Sequence, residues 1–305
     1  MIRTNEPPFG RLLTAMITPF DDQKRIDMPA VTKLTEHLIS TGTKTLVVAG
    51  TTGESPTLDE AETLALMKEV IKASASRARI ILGTGSNCTA KAVRMSQEAE
   101  QSGADGVLVV APYYNKPSQE GMIQHFEEVA KAIHIPLIVY NIPGRTGVNI
   151  LPETIVEMAQ RCPNIHAVKE SSGNVDQVAE IAAHSREEFR IYSGDDYLTL
   201  PFLSVGTSGV VSVASHLAGR RINRMMESFF EGKLEEARKL HYELLPLFKG
   251  IFAAPSPSCT KYALSKLGLC KEHMRLPMVP IDAAQRAAMD KVLEQCGIAA
   301  ELARA

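Results

Sequence analysis

Eight short apolar runs recur along this 305-residue chain, at 13–17, 45–49, 80–83, 106–111, 137–141, 166–169, 190–193 and 209–213. After each comes a longer segment with apolar residues at three- and four-residue spacing: near 29–41, 59–75, 89–102, 119–133, 152–160, 174–184, 196–204 and 215–220. The runs are too short for helices, and the intervening segments have the helical period. The runs are apolar on both faces, as strands must be when they lie parallel with helices covering both sides. Eight strands, each followed by a helix, is the count of an α/β fold of the (β/α)8 or TIM-barrel type. The competing architecture is a doubly wound open sheet. It would ordinarily carry a glycine-rich dinucleotide turn after its first strand, and the MITPF sequence at 16–20 has none. Helix punctuation agrees with the alternation. Gly42 and Gly103 sit where C-cap glycines should, and Thr57 with Glu60 has the form of a capping box.

Past residue 221 the strand signal stops. Segments 222–248, 258–268 and 281–297 read as helices, so the expected organisation is a catalytic barrel over 1–221 and an all-helical C-terminal appendix over 222–305. Composition narrows the function classes. A net charge of −2 without a basic block argues against a nucleic-acid groove or a membrane-surface face. No apolar stretch reaches the roughly 18 residues that span a bilayer, and the first residues lack the apolar core of a secretory leader. The five cysteines are scattered, odd in number and never in C-x-x-C spacing. That pattern fits reduced thiols in a cytoplasmic protein, not a disulfide framework or a zinc site. Neither a G-x-S-x-G elbow nor a P-loop is present.

In such a barrel the chemistry lies at the C-terminal ends of the strands. Those ends read GTTGES at 50–55, APYYN at 111–115, YNIPGRTG at 140–147, VKE at 168–170, SGDD at 193–196 and GVVS at 209–212. Polar and ionisable groups therefore converge on one mouth. Lys169 stands out, because an amine shielded from water favours its neutral, nucleophilic form and can attack a carbonyl. A lone lysine there also fits a strand-end residue that snorkels to solvent. Tyr140 ends the neighbouring strand and can pass protons to and from a carbinolamine, or can simply pack with its hydroxyl satisfied. Thr51 and Thr52, between Gly50 and Gly53, can bring hydroxyls and backbone amides to a small carboxylate, or form an ordinary capped turn. Arg145 offers a planar fork for a carboxylate or is a solvated loop residue. Tyr113 and Tyr114 are either a relay phenol with an interface ring or two loop anchors. Asp195 and Asp196 read as an N-cap pair for the next helix, since no His, Asp or Glu partners lie at metal-ligand spacing. His166 reads as structural.

Taken together and in order, these strand ends resemble the dihydrodipicolinate synthase/N-acetylneuraminate lyase family across nearly the whole chain. The resemblance implies that Lys169 forms a Schiff base with pyruvate, whose enamine attacks the aldehyde of L-aspartate 4-semialdehyde. It implies Tyr140 as the acid/base group and Thr52 and Tyr114 as the other relay hydroxyls, with Tyr114 reaching into a neighbouring subunit's site. Thr51 and Thr52 would hold the pyruvate carboxylate, Arg145 the second substrate's carboxylate, and Gly194 and Val211 would line the pyruvate pocket. Neither a metal nor an organic cofactor is implied. The borrowed tyrosine implies self-association, as a homodimer or homotetramer. A lyase splitting a sialic acid or a 2-keto-3-deoxy sugar acid through the same imine is the alternative within the family. A non-catalytic barrel that binds a keto acid is the alternative outside it.

The resemblance also bears on regulation. Members inhibited by L-lysine bind it near 55–63 and 87–91. Ser55, Asn87 and Tyr113 match their pattern, whereas Pro56, Glu60, Thr63 and Lys91 do not. A cation at Lys91 should repel the ligand's ammonium, so weak or absent inhibition is expected, with Glu60 a possible replacement carboxylate.

Overall fold

The computed structural model describes residues 7–298. Eight strands close into one parallel barrel in chain order: β1 (Leu12–Ala15), β2 (Thr45–Val48), β3 (Arg79–Gly83), β4 (Gly106–Val110), β5 (Leu137–Asn141), β6 (Ile165–Glu170), β7 (Arg190–Ser193) and β8 (Gly209–Ser212). β1 pairs with both β2 and β8. Every residue of β1, β2, β5 and β8 is buried, because side chains pointing inward fill the barrel and those pointing outward meet the helix layer. Several strands stop one or two residues before the sequence pattern does. At the end of β2 the physical reason is visible: Ala49 takes the left-handed conformation, φ 53°, and turns the chain out of the sheet.

Helices Met28–Ser40, Glu60–Ser74, Thr89–Gln101, Gln119–Lys131, Pro152–Arg161, Val175–His184, Thr199–Ser204 and Ser215–Phe230 follow the strands in turn. Gly42 and Gly103 adopt φ of 103° and 93° just past their helices, conformations that cost glycine little. The capping box before the second helix is displaced from its expected place. Thr57 closes a short 3-10 turn and spends its hydroxyl on the Glu54 carbonyl. Asp59 is the cap instead, accepting from the Glu62 amide while Glu62 reaches back to the Asp59 amide.

The eighth barrel helix runs to Phe230 with a kink at Ala218, so residue 221 lies inside it. The helical break falls at 231–233, at Gly232 with φ 78°. Three helices follow, Leu234–Gly250, Ser258–Lys266 and Ala283–Gln295. The first packs on both Ser215–Phe230 and Ala283–Gln295. Among the described residues no helix is long and apolar enough to cross a membrane.

One irregularity positions the site. Between β5 and β6 the register shifts, so that Leu137 pairs with Ile165 but Ile138 pairs with Ala167. The half-buried His166 is the extra residue. Beyond this bulge Tyr140 lies directly beside Lys169. In an unbroken register Tyr140 would face Val168, and Lys169 would project beside Asn141. Bulges commonly re-aim a side chain in this way.

Candidate active site

The Lys169 amine sits at the mouth of the barrel, 4.1 Å from the centre of the Tyr140 ring. Both residues are buried, each 6% exposed. The lysine therefore does not snorkel away from the mouth. Gly194, in register just past β7, gives the lysine its room. A Cβ there would lie 3.0 Å from Lys169 Cε and 1.7 Å from Ser171 Oγ, so even alanine could not be accommodated without displacing both.

Thr51, Tyr113, Tyr140 and Arg145 line one cavity of about 440 Å³ that opens at this mouth. The turn carrying Thr51 is tightly made. The Gly53 and Ser55 amides both donate to the Gly50 carbonyl, at 3.0 and 3.3 Å, and Thr18 Oγ1 donates to the Gly53 carbonyl at 2.6 Å. Thr52 is buried in the same turn, and Val211 is fully buried in β8 beside Leu13. Arg145 is exposed on the short helix Pro143–Thr146. Tyr114 stands apart: its backbone is left-handed at φ 74° and its side chain is 89% exposed on this protomer.

Asp195 and Asp196 do not form an N-cap pair. The helical turn Asp196–Leu198 has no side-chain cap bond from Asp195. Asp196 is turned inward, where its carboxylate accepts from Ser212 Oγ at 2.5 Å and from the Val213 and Ala214 amides at 3.0 Å. It thereby satisfies amides at the start of the following barrel helix, because a fully buried carboxylate needs donors and that helix start has free ones. Asp195 is left beside the lysine. Burial raises its carboxyl to about 6, and the neighbouring Lys169 charge acts in the opposite direction. Glu170, on the other face of β6, is fully buried and held by Asn141, Gln177 and the Ser172 amide. Burial raises its carboxyl too, against these hydrogen bonds.

A second buried charge supports the threonine turn. Glu54 ends the turn in a left-handed conformation, φ 57°, with its carboxylate 2.5 Å from the ammonium of Lys261 in helix Ser258–Lys266. Both side chains are inaccessible. Lys261 also donates to the His273 carbonyl at 2.7 Å and stacks over Phe20, and Glu54 accepts from the Arg275 amide at 3.1 Å. The appendix is thus bonded to the turn that carries Thr51. Glu54, Lys261, Asp195 and Ser171 were not singled out by the sequence for these positions. Ser171 alone had a readable signal, being two residues past Lys169 and so on the same strand face. Among the described residues no three His, Cys, Asp or Glu side chains group to hold a metal ion.

The Dihydrodipicolinate synthetase family matches residues 8–296. The chain belongs to the dihydrodipicolinate synthetase family. A family member from Heliobacterium modesticaldum, a 4-hydroxy-tetrahydrodipicolinate synthase, is 49% identical over 95% of this chain and 96% of its own length. The crystal structure of a dihydrodipicolinate synthase from Bacillus anthracis superposes with a TM-score of 0.92 at 43% identity, covering 94% of this chain and 98% of that one. The enzyme from Cyanidioschyzon merolae, solved with lysine bound, superposes with a TM-score of 0.94 at 42% identity, covering 96% and 100%. As members of the family, these barrels share the closed eight-stranded frame on which Lys169 and Tyr140 are placed here.

Proposed function

We propose that this chain is a 4-hydroxy-tetrahydrodipicolinate synthase, condensing pyruvate with L-aspartate 4-semialdehyde in the diaminopimelate route to lysine. The observation that carries the reading is the buried Lys169 amine held 4.1 Å from the Tyr140 ring centre at a barrel mouth. Relatives named for this activity, such as the one 49% identical along nearly the whole chain, support it.

Lys169 attacks the keto carbon of pyruvate, and water leaves as the imine forms. Loss of a methyl proton gives the enamine, which makes that carbon nucleophilic near neutral pH. The enamine attacks the aldehyde, and ring closure by the second substrate's own amine releases Lys169. Tyr140 moves protons between these species and water, with Thr52 and the Tyr114 of a second copy completing the relay. Thr51 and Thr52 hold the pyruvate carboxylate, Gly194 and Val211 line its pocket, and Arg145 receives the carboxylate of the second substrate. The barrel, through helix Ser215–Phe230, acts as the catalytic unit, and the three helices from Leu234 onward brace it. The working form is a cytoplasmic homodimer or homotetramer.

The test is borohydride trapping with pyruvate, followed by intact mass and peptide mapping. The expected result is one reduced adduct on Lys169, lost in Lys169→Arg, together with turnover of aspartate semialdehyde in a coupled assay. A missing adduct, or one on another residue, overturns the mechanism. Turnover of sugar acids instead of the semialdehyde overturns the substrate assignment.

A further inference from the structure

Arg145 lines the mouth cavity with Thr51 and Tyr140, yet among the described residues no hydrogen bond or ion pair holds its guanidinium. Where it points therefore depends on the backbone of the loop that carries it, which leaves β5 at Asn141 and is closed at Asn149. One side chain ties the two ends of that loop. Asn141 Nδ2 donates to Asn149 Oδ1 at 2.8 Å, and Asn141 Oδ1 accepts from the Ile150 amide at 3.0 Å. Gln177, on helix Val175–His184, braces the same stem. Its Oε1 accepts from Asn149 Nδ2 at 2.8 Å, and its Nε2 donates to Glu170 at 3.1 Å.

The same amide also faces the lysine strand. Asn141 and Glu170 are register partners, one step past the pair Tyr140 and Lys169. Asn141 Nδ2 donates to the two Glu170 oxygens at 3.2 and 3.0 Å, and the Ser172 amide donates to one of them at 2.7 Å. The Glu170 carboxyl thus meets donors, so Asn141 must present its NH2 to it and turn its own carbonyl oxygen to Ile150. These donors are all neutral. A fully buried carboxylate without a cation is a costly way to join two strands, and apolar side chains would join them at less cost. What the network supplies is direction: it sets the Arg145 loop against the residues that follow Tyr140 and Lys169. We propose that Asn141 is a positioning residue for the second substrate. Backed by Glu170, it holds the loop over 142–148 so that Arg145 receives the substrate carboxylate within reach of the Lys169 enamine. Asn141 is itself fully buried, so its effect passes through Arg145 and not through contact with substrate.

This positioning role rests on Arg145 receiving the second carboxylate, as proposed above, and one set of variants separates the two. Wild type, Asn141→Ala, Asn149→Ala, Arg145→Ala and the double variant Asn149→Ala/Arg145→Ala are each tested for borohydride-trapped pyruvate adduct and for steady-state condensation. Asn149 is half-buried, and its truncation cuts the same stem bond from the loop side, so it carries the test should Asn141→Ala fail to fold. The expected Asn141→Ala and Asn149→Ala enzymes form the Lys169 adduct at the wild-type level and keep the KM for pyruvate. Their KM for aspartate semialdehyde rises roughly tenfold, the loss of about one hydrogen bond to a charged group. In the Arg145→Ala background, Asn149→Ala raises that KM little further, because the two act as one unit. An Asn149→Ala enzyme with wild-type KM for the semialdehyde overturns the proposal. So does one whose adduct yield falls in step with its rate, since the stem would then serve only the fold. A KM increase that persists in full without Arg145 overturns it as well. Wild-type KM in Arg145→Ala overturns the role of the arginine, and no adduct on wild type overturns the imine chemistry itself.

Discussion

At the scale of single residues, the space around Lys169 is set by what Gly194 lacks. Gly194→Ala puts a methyl group onto Ser171 Oγ and against Lys169 Cε. Ser171 must move and Lys169 must give way by a few tenths of an ångström, so kcat for condensation is expected to fall while circular dichroism stays native, because rate depends steeply on the position of a reacting group. Asp195 gives a prediction in pH. Its carboxyl is raised from 3.8 to about 6 in the fold, so between those values the native state holds a proton that the unfolded chain has lost. Stability contributed by this group is therefore greatest at low pH and declines as pH rises through about 6. Asp195→Asn removes the penalty. Denaturant titrations should find the variant equal to wild type near pH 4 and more stable by up to about 3 kcal/mol at pH 7; an advantage that does not grow with pH contradicts this. Lys169, Tyr140 and Arg145 were legible in the sequence because strand ends in a barrel point to one place. The role of Asp196 was not, because it depends on which neighbours lie beside it once the sheet closes. Asp196 meets Ser212 across sixteen residues, and no local pattern announces that.

Among the elements, the strand and helix order followed from periodicity, whereas the bulge at His166 did not. Nothing in the apolar run 165–169 marks which residue is extra, yet that residue decides that Tyr140 and Lys169 stand side by side. The capping box was misplaced for a related reason: Thr57 is drawn into a preceding turn that only the folded Glu54 creates. The Glu54–Lys261 pair is the fully buried ionic link between barrel and appendix at this mouth, beside the part-buried Arg275–Glu62 pair. Burial lowers the pKa of Lys261, and the adjacent Glu54 charge opposes that shift. Removing one partner leaves the other charge buried alone, so Lys261→Met should destabilise by about 3–5 kcal/mol. The double variant Glu54→Gln/Lys261→Met should recover much of that loss in urea denaturation, and losses that simply add would show that the two are not coupled. The cavity's outer wall bears on regulation. Lys91 and Glu60 both line it, and Glu60 pairs with Arg94 in a half-exposed ion pair, so a bound ammonium would have to compete with that arginine and face the Lys91 cation. Sub-millimolar L-lysine should inhibit the steady-state rate weakly or not at all, and strong inhibition at that level would refute the assignment.

For the molecule as a whole, the exposure of Tyr114 bears on how many copies complete a site. The phenol of Tyr114 is almost wholly exposed on the single chain, while the proposed relay calls for a third hydroxyl. If a second copy supplies it, Tyr114→Phe lowers kcat without dissociating the assembly, and specific activity falls on dilution together with the sedimentation coefficient. Activity that survives in a sedimenting monomer would place the relay within one chain. The link between Glu54 and Lys261 also has a consequence in time. A ribosome delivers Thr51 to Glu54 some two hundred residues before Lys261. Strands and helices of the barrel can begin to associate on the nascent chain, but the turn that carries Thr51 lacks its counter-ion until the appendix emerges. Chains truncated between the eighth strand and Lys261 should therefore fail in a coupled condensation assay, and turnover by such a chain would show that the pair is dispensable.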